Sequence, residues 1–260
     1  MTIVTISLNQ IWENKKENLL LCEEYIKKAS NENVDLIVFP EMTLTGFSIN
    51  INETSEVEKN SKTIAKFKDL AKQYKIAILF GIVIKDNDKA LNKSIFINED
   101  GNILGKYSKI HPFSFSGENQ YFNAGEELMI VNYKNHNIGL TICYDLRFPE
   151  LYSAYAKECD IVINIANWPK KRIDHWNTLL KARAIENQLF VVGVNRIGID
   201  GNGLEYEESS AIFNANGENV EFAKKGNMKI YDLEKNFTKE FREVFNTIND
   251  RKVELYRELI

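Results

Sequence analysis

Short apolar runs rich in β-branched residues alternate along the chain with stretches whose apolar residues recur at helical spacing. TIVTISLN (Thr2–Asn9) alternates apolar and small polar positions and predicts a strand. An amphipathic helix follows, with Trp12, Leu19, Ile26 and Ala29 on one face and Cys22 beside them as a core residue. VDLIVF (Val34–Phe39) suits a strand covered on both faces, and it stops at Pro40-Glu41. Ile64, Phe67, Ala71 and Tyr74 mark a second helix, and Ile76–Ile84 a second buried strand. Leu91–Asn98 and Asn102–Lys109 flank the turn Glu99-Asp100-Gly101 as a hairpin. Leu128–Tyr133 and Ile138–Cys143 form the next strand pair. A helix over Glu150–Lys157, a strand over Asp160–Ile165, a helix over His175–Asn187 and a strand over Phe190–Asn195 follow. Ser210–Asn214 and Val220–Lys224 read as another hairpin, Met228–Leu233 as a last strand, and Glu234–Ile260 as a helix and charged tail.

Buried strands alternating with helices predict an α/β protein, and the hairpins make its sheets mixed. SIFINEDGNIL (Ser94–Leu104) and SAIFNANGENV (Ser210–Val220) align Asn98 with Asn214 and Gly101 with Gly217, an internal echo that suggests a two-fold architecture. No Gly/Pro-rich linker divides the sequence, so residues 1–260 are expected to form one domain.

Composition narrows the function classes. A net charge of -4 gives no reason to expect nucleic acid or an anionic membrane as partner. The start MTIVTISLNQIW lacks the basic residues and continuous apolar core of a signal peptide, and no run approaches a membrane span. Three cysteines without paired spacing fit a reducing compartment, and the expected location is the cytoplasm. The three histidines are far apart, with neither HExxH nor CxxC present, so no metal and no cofactor is expected.

The stretch IGLTICYDLRFPE (Ile138–Glu150) is where chemistry would sit. A strand ending at Cys143, a polar turn, and a helix opened by Pro149 lift one side chain off a sheet edge beside a helix N-terminus. A thiol there ionises more easily than usual and can be a nucleophile; a buried structural cysteine is the competing account. Glu41 follows a buried strand in the same way, among Phe39, Met42, Leu44 and Phe47, a setting that suits proton transfer. Lys109 ends a hairpin strand between Ile110 and Phe113 rather than among charges. His175 reads as a surface or packing residue.

In FPEMTLTGF, GKYSKIHPF and ICYDLRFPELY, the chain resembles the carbon–nitrogen hydrolase (nitrilase) superfamily, whose catalytic Glu, Lys and Cys occur in this order. The resemblance runs from the first strand to about Glu221. It implies a four-layer α-β-β-α sandwich with two mixed sheets, a catalytic set of Glu41, Lys109 and Cys143, and a homodimer that the tail 245–260 could help to form through Val253, Leu255, Tyr256 and Leu259. Glu118 in SGENQYFNAG matches the second glutamate that the family places near the lysine, and the backbone N–H of Tyr144 would join Lys109 in stabilising an oxyanion. The lysine's charge would also favour the thiolate.

NWPKKRIDHWNTLLKARAIENQLFVVGVNRIGIDGNG (Asn167–Gly203) is similar to the omega-amidase branch, which cleaves the terminal amide of 2-oxoglutaramate and of monoamides such as succinamate. The partners implied are then a small-molecule amide and water. Arg147 would read a substrate carboxylate or pair with Glu150 or another acid; Trp168 and Tyr144 are candidate pocket walls; Arg183 and Glu186 read as internal support. Glu207 and Glu208 depart from the glycine and the small or polar residue that related amidases tend to carry. A nitrilase, an N-carbamoyl amine hydrolase, a silent binding homologue and a thiol redox protein are the competing functions.

Overall fold

The computed structural model describes residues 1–259. Its elements are β1 (Thr2–Ile6), α1 (Lys15–Ser30), β2 (Leu36–Val38), a single turn α2 (Ile51–Thr54), α3 (Lys62–Tyr74), β3 (Ala77–Asp86), β4 (Lys89–Ile97), β5 (Ile103–Ser108) and a short α4 (Glu118–Tyr121). Then come β6 (Ile130–Tyr133), β7 (His136–Ile142), α5 (Pro149–Tyr155), β8 (Ile161–Ala166), α6 (Ile173–Asn187) and β9 (Phe190–Asn195). The chain finishes with β10 (Gly198–Ile199), β11 (Glu205–Tyr206), β12 (Ala211–Phe213), β13 (Ala223–Lys225), β14 (Met228–Asp232), α7 (Phe237–Val244) and α8 (Val253–Leu259).

The strands form a seven-stranded sheet in the order β13-β14-β1-β2-β3-β4-β5 and a five-stranded sheet in the order β12-β9-β8-β7-β6, with β10 and β11 pairing separately. In the first sheet β1, β2 and β3 are parallel, flanked by antiparallel β14 and β4. In the second, β7, β8 and β9 are parallel, flanked by antiparallel β6 and β12.

Period-two alternation assigns the layers. Leu36, Val38, Leu79 and Phe96 of the first sheet meet Leu140, Ile142, Ile163 and Val192 of the second, and all are buried. The alternate positions Ile37, Ile78 and Phe80 pack under α1 and α3, where Cys22 takes its expected place in the core. Val162 and Val191 pack under α5 and α6 against Tyr152, Tyr155, Trp176 and Leu180. The order is therefore helix, sheet, sheet, helix: the four-layer α-β-β-α sandwich with two mixed sheets. Each fully buried aliphatic or aromatic side chain contributes roughly 1.5–3 kcal/mol. Among the described residues no helix is long and apolar enough to cross a membrane.

The internal echo is structural. Asn98 accepts from the N–H groups of Asp100, Gly101 and Asn102, using its side chain for the first and third; Asn214 repeats the pattern with Asn216, Gly217 and Glu218. Gly101 (φ 75°) and Gly217 (φ 73°) lie where a Cβ would strike the end of α3 and α6, respectively, so each turn tucks under the matching helix.

Three expectations need correction. Trp12 is not in α1: Asn14 caps that helix by accepting from the N–H of Glu17 at 3.1 Å, and the indole instead lies over Gly201 and Gly46. Ser210–Asn214 and Val220–Lys224 pair only beside the turn, where Phe213 bridges Asn219 and the Val220 N–H donates to the Ile212 carbonyl; β12 then runs along β9, while β13 leaves to pair with β14 in the other sheet. The terminal region is two helices rather than one: Arg242 of α7 donates to the carbonyls of Asn187 and Gln188, whereas α8 leaves Val253, Leu255 and Tyr256 exposed. The side chain of Leu259, and Ile260, lie outside the described residues.

Candidate active site

Two strand ends meet at the site. After β2, Phe39-Pro40 carries the chain to Glu41, and Met42 turns it at φ +46°. The turn lies flat on β3 because position 81 is glycine: a Cβ there would come within 2.4 Å of the Met42 nitrogen. After β7, Cys143 itself takes φ +46°, an uncommon conformation for a residue with a side chain, and starts a five-residue 3₁₀ turn that leads into Pro149 and α5. Buried Asp145 fixes that turn. It accepts from the N–H of Ile142 (2.9 Å), the N–H of His111 (3.0 Å) and the hydroxyl of Tyr107 (2.7 Å), and its Oδ1 lies 2.8 Å from His111 Nδ1. At the first turn of this helix the Tyr144 N–H has no intrahelical acceptor.

Lys109, one residue past β5, is buried with its Nζ between two buried carboxylates, 3.0 Å from Glu41 Oε1 and 2.9 Å from Glu118 Oε2. The Asn92 amide donates to Oε1 of both glutamates, at 2.7 Å to Glu41 and 3.1 Å to Glu118. The second Glu41 oxygen accepts the backbone N–H of Asn167 at 2.9 Å. Asn167 also ties the cysteine in, since its carbonyl lies 4.0 Å from Cys143 Sγ. Gln10, past β1, clamps the Glu41 turn by donating to the carbonyls of Glu41 and Met42. Glu41 thus sits amid donors rather than in the apolar setting its sequence neighbours suggest.

The charges act together. Burial alone opposes a charged Lys109, but the Glu118 and Glu41 carboxylates more than offset it, and the ammonium is held well above the ordinary lysine range. Burial pushes the Cys143 thiol well above its usual value, the Glu41 carboxylate adds to the shift, and Lys109 pulls against them without prevailing. The lysine thus favours the thiolate as expected, but burial and the Glu41 carboxylate oppose it.

Above this floor opens a pocket with about 490 Å³ of empty space, part of it open to solvent. Phe47, Phe113, Tyr144, Trp168 and Tyr206 supply aromatic walls, with Lys109, Cys143 and Asn167 at the base. Trp168 is both wall and packing: its indole N–H donates to the Arg172 carbonyl at 2.8 Å, and Asn195 grips its backbone from both sides. Two guanidinium groups complete the lining. Arg147 lies 4.7 Å over the Trp168 ring and Arg172 5.5 Å over the Phe113 ring. Among the described residues neither pairs with a carboxylate; Arg147 instead meets His175 Nδ1 at 3.3 Å. Burial, reinforced by Arg172, lowers the Arg147 pKa from its ordinary value.

The structure thus brings Glu41, Lys109, Cys143, Glu118, Tyr144, Arg147 and Trp168 to one place. Arg147 does not form the anticipated pair with Glu150. Arg183 supports the cysteine turn as well as its own helix, donating to the Leu146 carbonyl at 3.0 Å and to Glu186 at 2.9 Å. Glu208 lies away from the pocket, bridging the sheets through Lys229 (2.9 Å) and Ser7 (3.2 Å). Asn92, Asn167, Asp145, Gln10 and Arg172 escaped the sequence reading. The clue for Asn92 was a strongly polar residue in the middle of a strand, which burial obliges to find partners.

The carbon-nitrogen hydrolase family model matches residues 3–239. The "Hydrolase in agr operon" of Staphylococcus aureus is 32% identical, over 99% of this chain and 100% of its own length. The omega-amidase YafV of Yersinia enterocolitica is 35% identical, over 92% of each chain. The crystal structure of XC1258 from Xanthomonas campestris, a CN-hydrolase superfamily protein with an arsenic adduct in its active site, superposes with a TM-score of 0.90 at 28% identity, covering 97% of both chains.

Proposed function

Because this chain belongs to the carbon–nitrogen hydrolase family and is a hydrolase of non-peptide amides, we propose that it cleaves the terminal amide of a small carboxylate-bearing substrate, of the 2-oxoglutaramate or succinamate type. The observation that carries this reading is the pocket's two ends. A thiol and an ammonium lie at the base, with the buried Glu41 carboxylate 3.0 Å from the ammonium, and two guanidinium groups that have no acidic partner among the described residues line the same space. A carboxylate entering beside Arg147 and Arg172 would neutralise them through charge-assisted hydrogen bonds and aim the far end of a short chain at Cys143. The omega-amidase name of the Yersinia relative supports the same substrate class.

In this mechanism Cys143 Sγ attacks the amide carbon while its proton passes to Glu41. The carbonyl electron pair moves onto oxygen, where Lys109 and the Tyr144 N–H stabilise the charge; one such donor contributes about 3–4 kcal/mol. Glu41 returns the proton to the nitrogen, the C–N bond breaks, and ammonia leaves a thioester on Cys143. Water then attacks that thioester, giving its proton to Glu41, and the carboxylic acid and thiol are restored. Glu118 holds Lys109 in place throughout. The reading takes residues 1–260 as one domain and includes a homodimer, for which exposed Val253, Leu255 and Tyr256 offer apolar surface.

The test is a substrate panel of 2-oxoglutaramate, succinamate, butyramide, a matching aliphatic nitrile and an N-carbamoyl amine. Ammonia release favouring the two carboxylate-bearing amides is the expected result. Turnover confined to the nitrile or the carbamoyl compound would overturn it. Light scattering on the same sample reports whether the protein is a dimer.

A further inference from the structure

We propose that Asn92 is a positioning residue that decides which oxygen of Glu41 serves as the base. It rests on the reading of Glu41 as proton acceptor and goes beyond the catalytic set inferred from the sequence. Asn92 sits within β4, opposite Val83, and its backbone carbonyl accepts the N–H of Lys109 at 2.9 Å. Its side-chain nitrogen has two hydrogens, and each has a carboxylate to meet: Glu41 Oε1 and Glu118 Oε1. One residue therefore holds the lysine's backbone and both acids that flank its ammonium.

The amide has one sensible orientation. Its Oδ1 is buried without a hydrogen-bond partner, yet a flip would aim that acceptor at two carboxylates. The arrangement accepts an unsatisfied oxygen in order to place two donors, and unsatisfied buried acceptors in a native site call for such a reason.

The consequence lies in the asymmetry of Glu41. Oε1 takes two donors, Asn92 Nδ2 at 2.7 Å and Lys109 Nζ at 3.0 Å. Oε2 takes one, the Asn167 N–H, and Asn167 is also the residue whose carbonyl borders Cys143 Sγ. With one donor against two, Oε2 keeps a lone pair for a proton, while Oε1 is occupied. The proton leaves Sγ for Oε2, Oε1 continues to accept from Asn92 and Lys109, and the same Oε2 proton is delivered to the departing nitrogen. Without Asn92, Oε1 would regain acceptor capacity and compete with Oε2 for the thiol proton.

The experiment measures the pH dependence of kcat/KM with succinamate for wild type, Asn92→Ser, Asn92→Ala and Glu41→Gln, with a thermal melt of each. Losing a donor to an ionised carboxylate raises that acid's pKa, so the acidic limb of Asn92→Ala should move up by about one unit, with kcat falling and KM little changed. Asn92→Ser, which retains one donor, should shift by less, and it decides the matter if Asn92→Ala does not fold. An acidic limb that stays in place in a folded variant, with kcat/KM within twofold of wild type, would overturn the proposal. If instead Glu41→Gln is as active as wild type, the reading of Glu41 as the base fails, and the two failures are told apart.

Discussion

Tyr107 of the seven-stranded sheet donates its hydroxyl at 2.7 Å to Asp145, which lies in the turn that leaves the five-stranded sheet. This bond joins the hairpin strand that delivers Lys109 to the turn that delivers Cys143, so the two sheets share the register of the site. Asp145→Asn keeps the shape but replaces one accepting oxygen with a donor facing N–H or O–H groups. Denaturant melts should show a loss of about 3 kcal/mol. In the folded fraction kcat should fall while Cys143 is still alkylated, as expected of a residue that positions the nucleophile without reacting.

Lys109 neutralises two buried carboxylates at once. Lys109→Met leaves Glu41 and Glu118 buried and unpaired, and should destabilise the fold by about 3–5 kcal/mol. Adding Glu118→Gln should recover much of that stability in a urea titration. It should not recover activity, since the proposed oxyanion donor is gone and kcat/KM should stay reduced by about 10²–10³.

Alkaline stability follows from buried groups that resist losing a proton. Burial, with Asp160 nearby, pushes the Cys159 thiol up from 9.0 to about 12. The unfolded chain releases this proton first, so the stabilisation is complete below about pH 9 and is lost as pH rises toward 12. Lys109 is shifted in the same direction, and its contribution likewise disappears only in strong alkali. Urea midpoints measured across this range should decline, and the decline should be shallower for Cys159→Ala than for wild type.

Arg147 and Arg172 predict a selective defect. Replacing either by Met should raise KM for succinamate by about 10–100-fold, the value of a charge-assisted hydrogen bond. Butyramide, which lacks the carboxylate, should be turned over much as before. Equal losses on both substrates would assign the arginines to folding of the pocket rather than to recognition.

The hydrophobic pattern made most of the fold legible because strand and helix faces carry distinct periods, and Leu36, Val38, Leu140 and Ile142 face each other across the sandwich as that pattern requires. The departure of β13 from its hairpin to the other sheet was not legible, because a short polar strand carries no mark of which sheet it will join. Glu41, Lys109 and Cys143 stood out as reactive residues at strand ends. Asn92 and Asn167 did not, because their importance comes from distances to residues far away in sequence, which no local pattern encodes. Local sequence reveals the turn and the lysine beside the thiol, but not the burial and the Glu41 carboxylate that oppose its ionisation.

Ammonia release from succinamate by wild type and Cys143→Ala, with the proteins weighed intact after rapid quenching, tests the central claim most directly. Wild type should release ammonia and carry a transient acyl adduct on the Cys143 peptide. Cys143→Ala should be folded, free of adduct, and slower by at least about 10³-fold, the scale on which loss of an enzyme's nucleophile is felt. Equal ammonia release by the two proteins would contradict the assignment of Cys143 as the nucleophile.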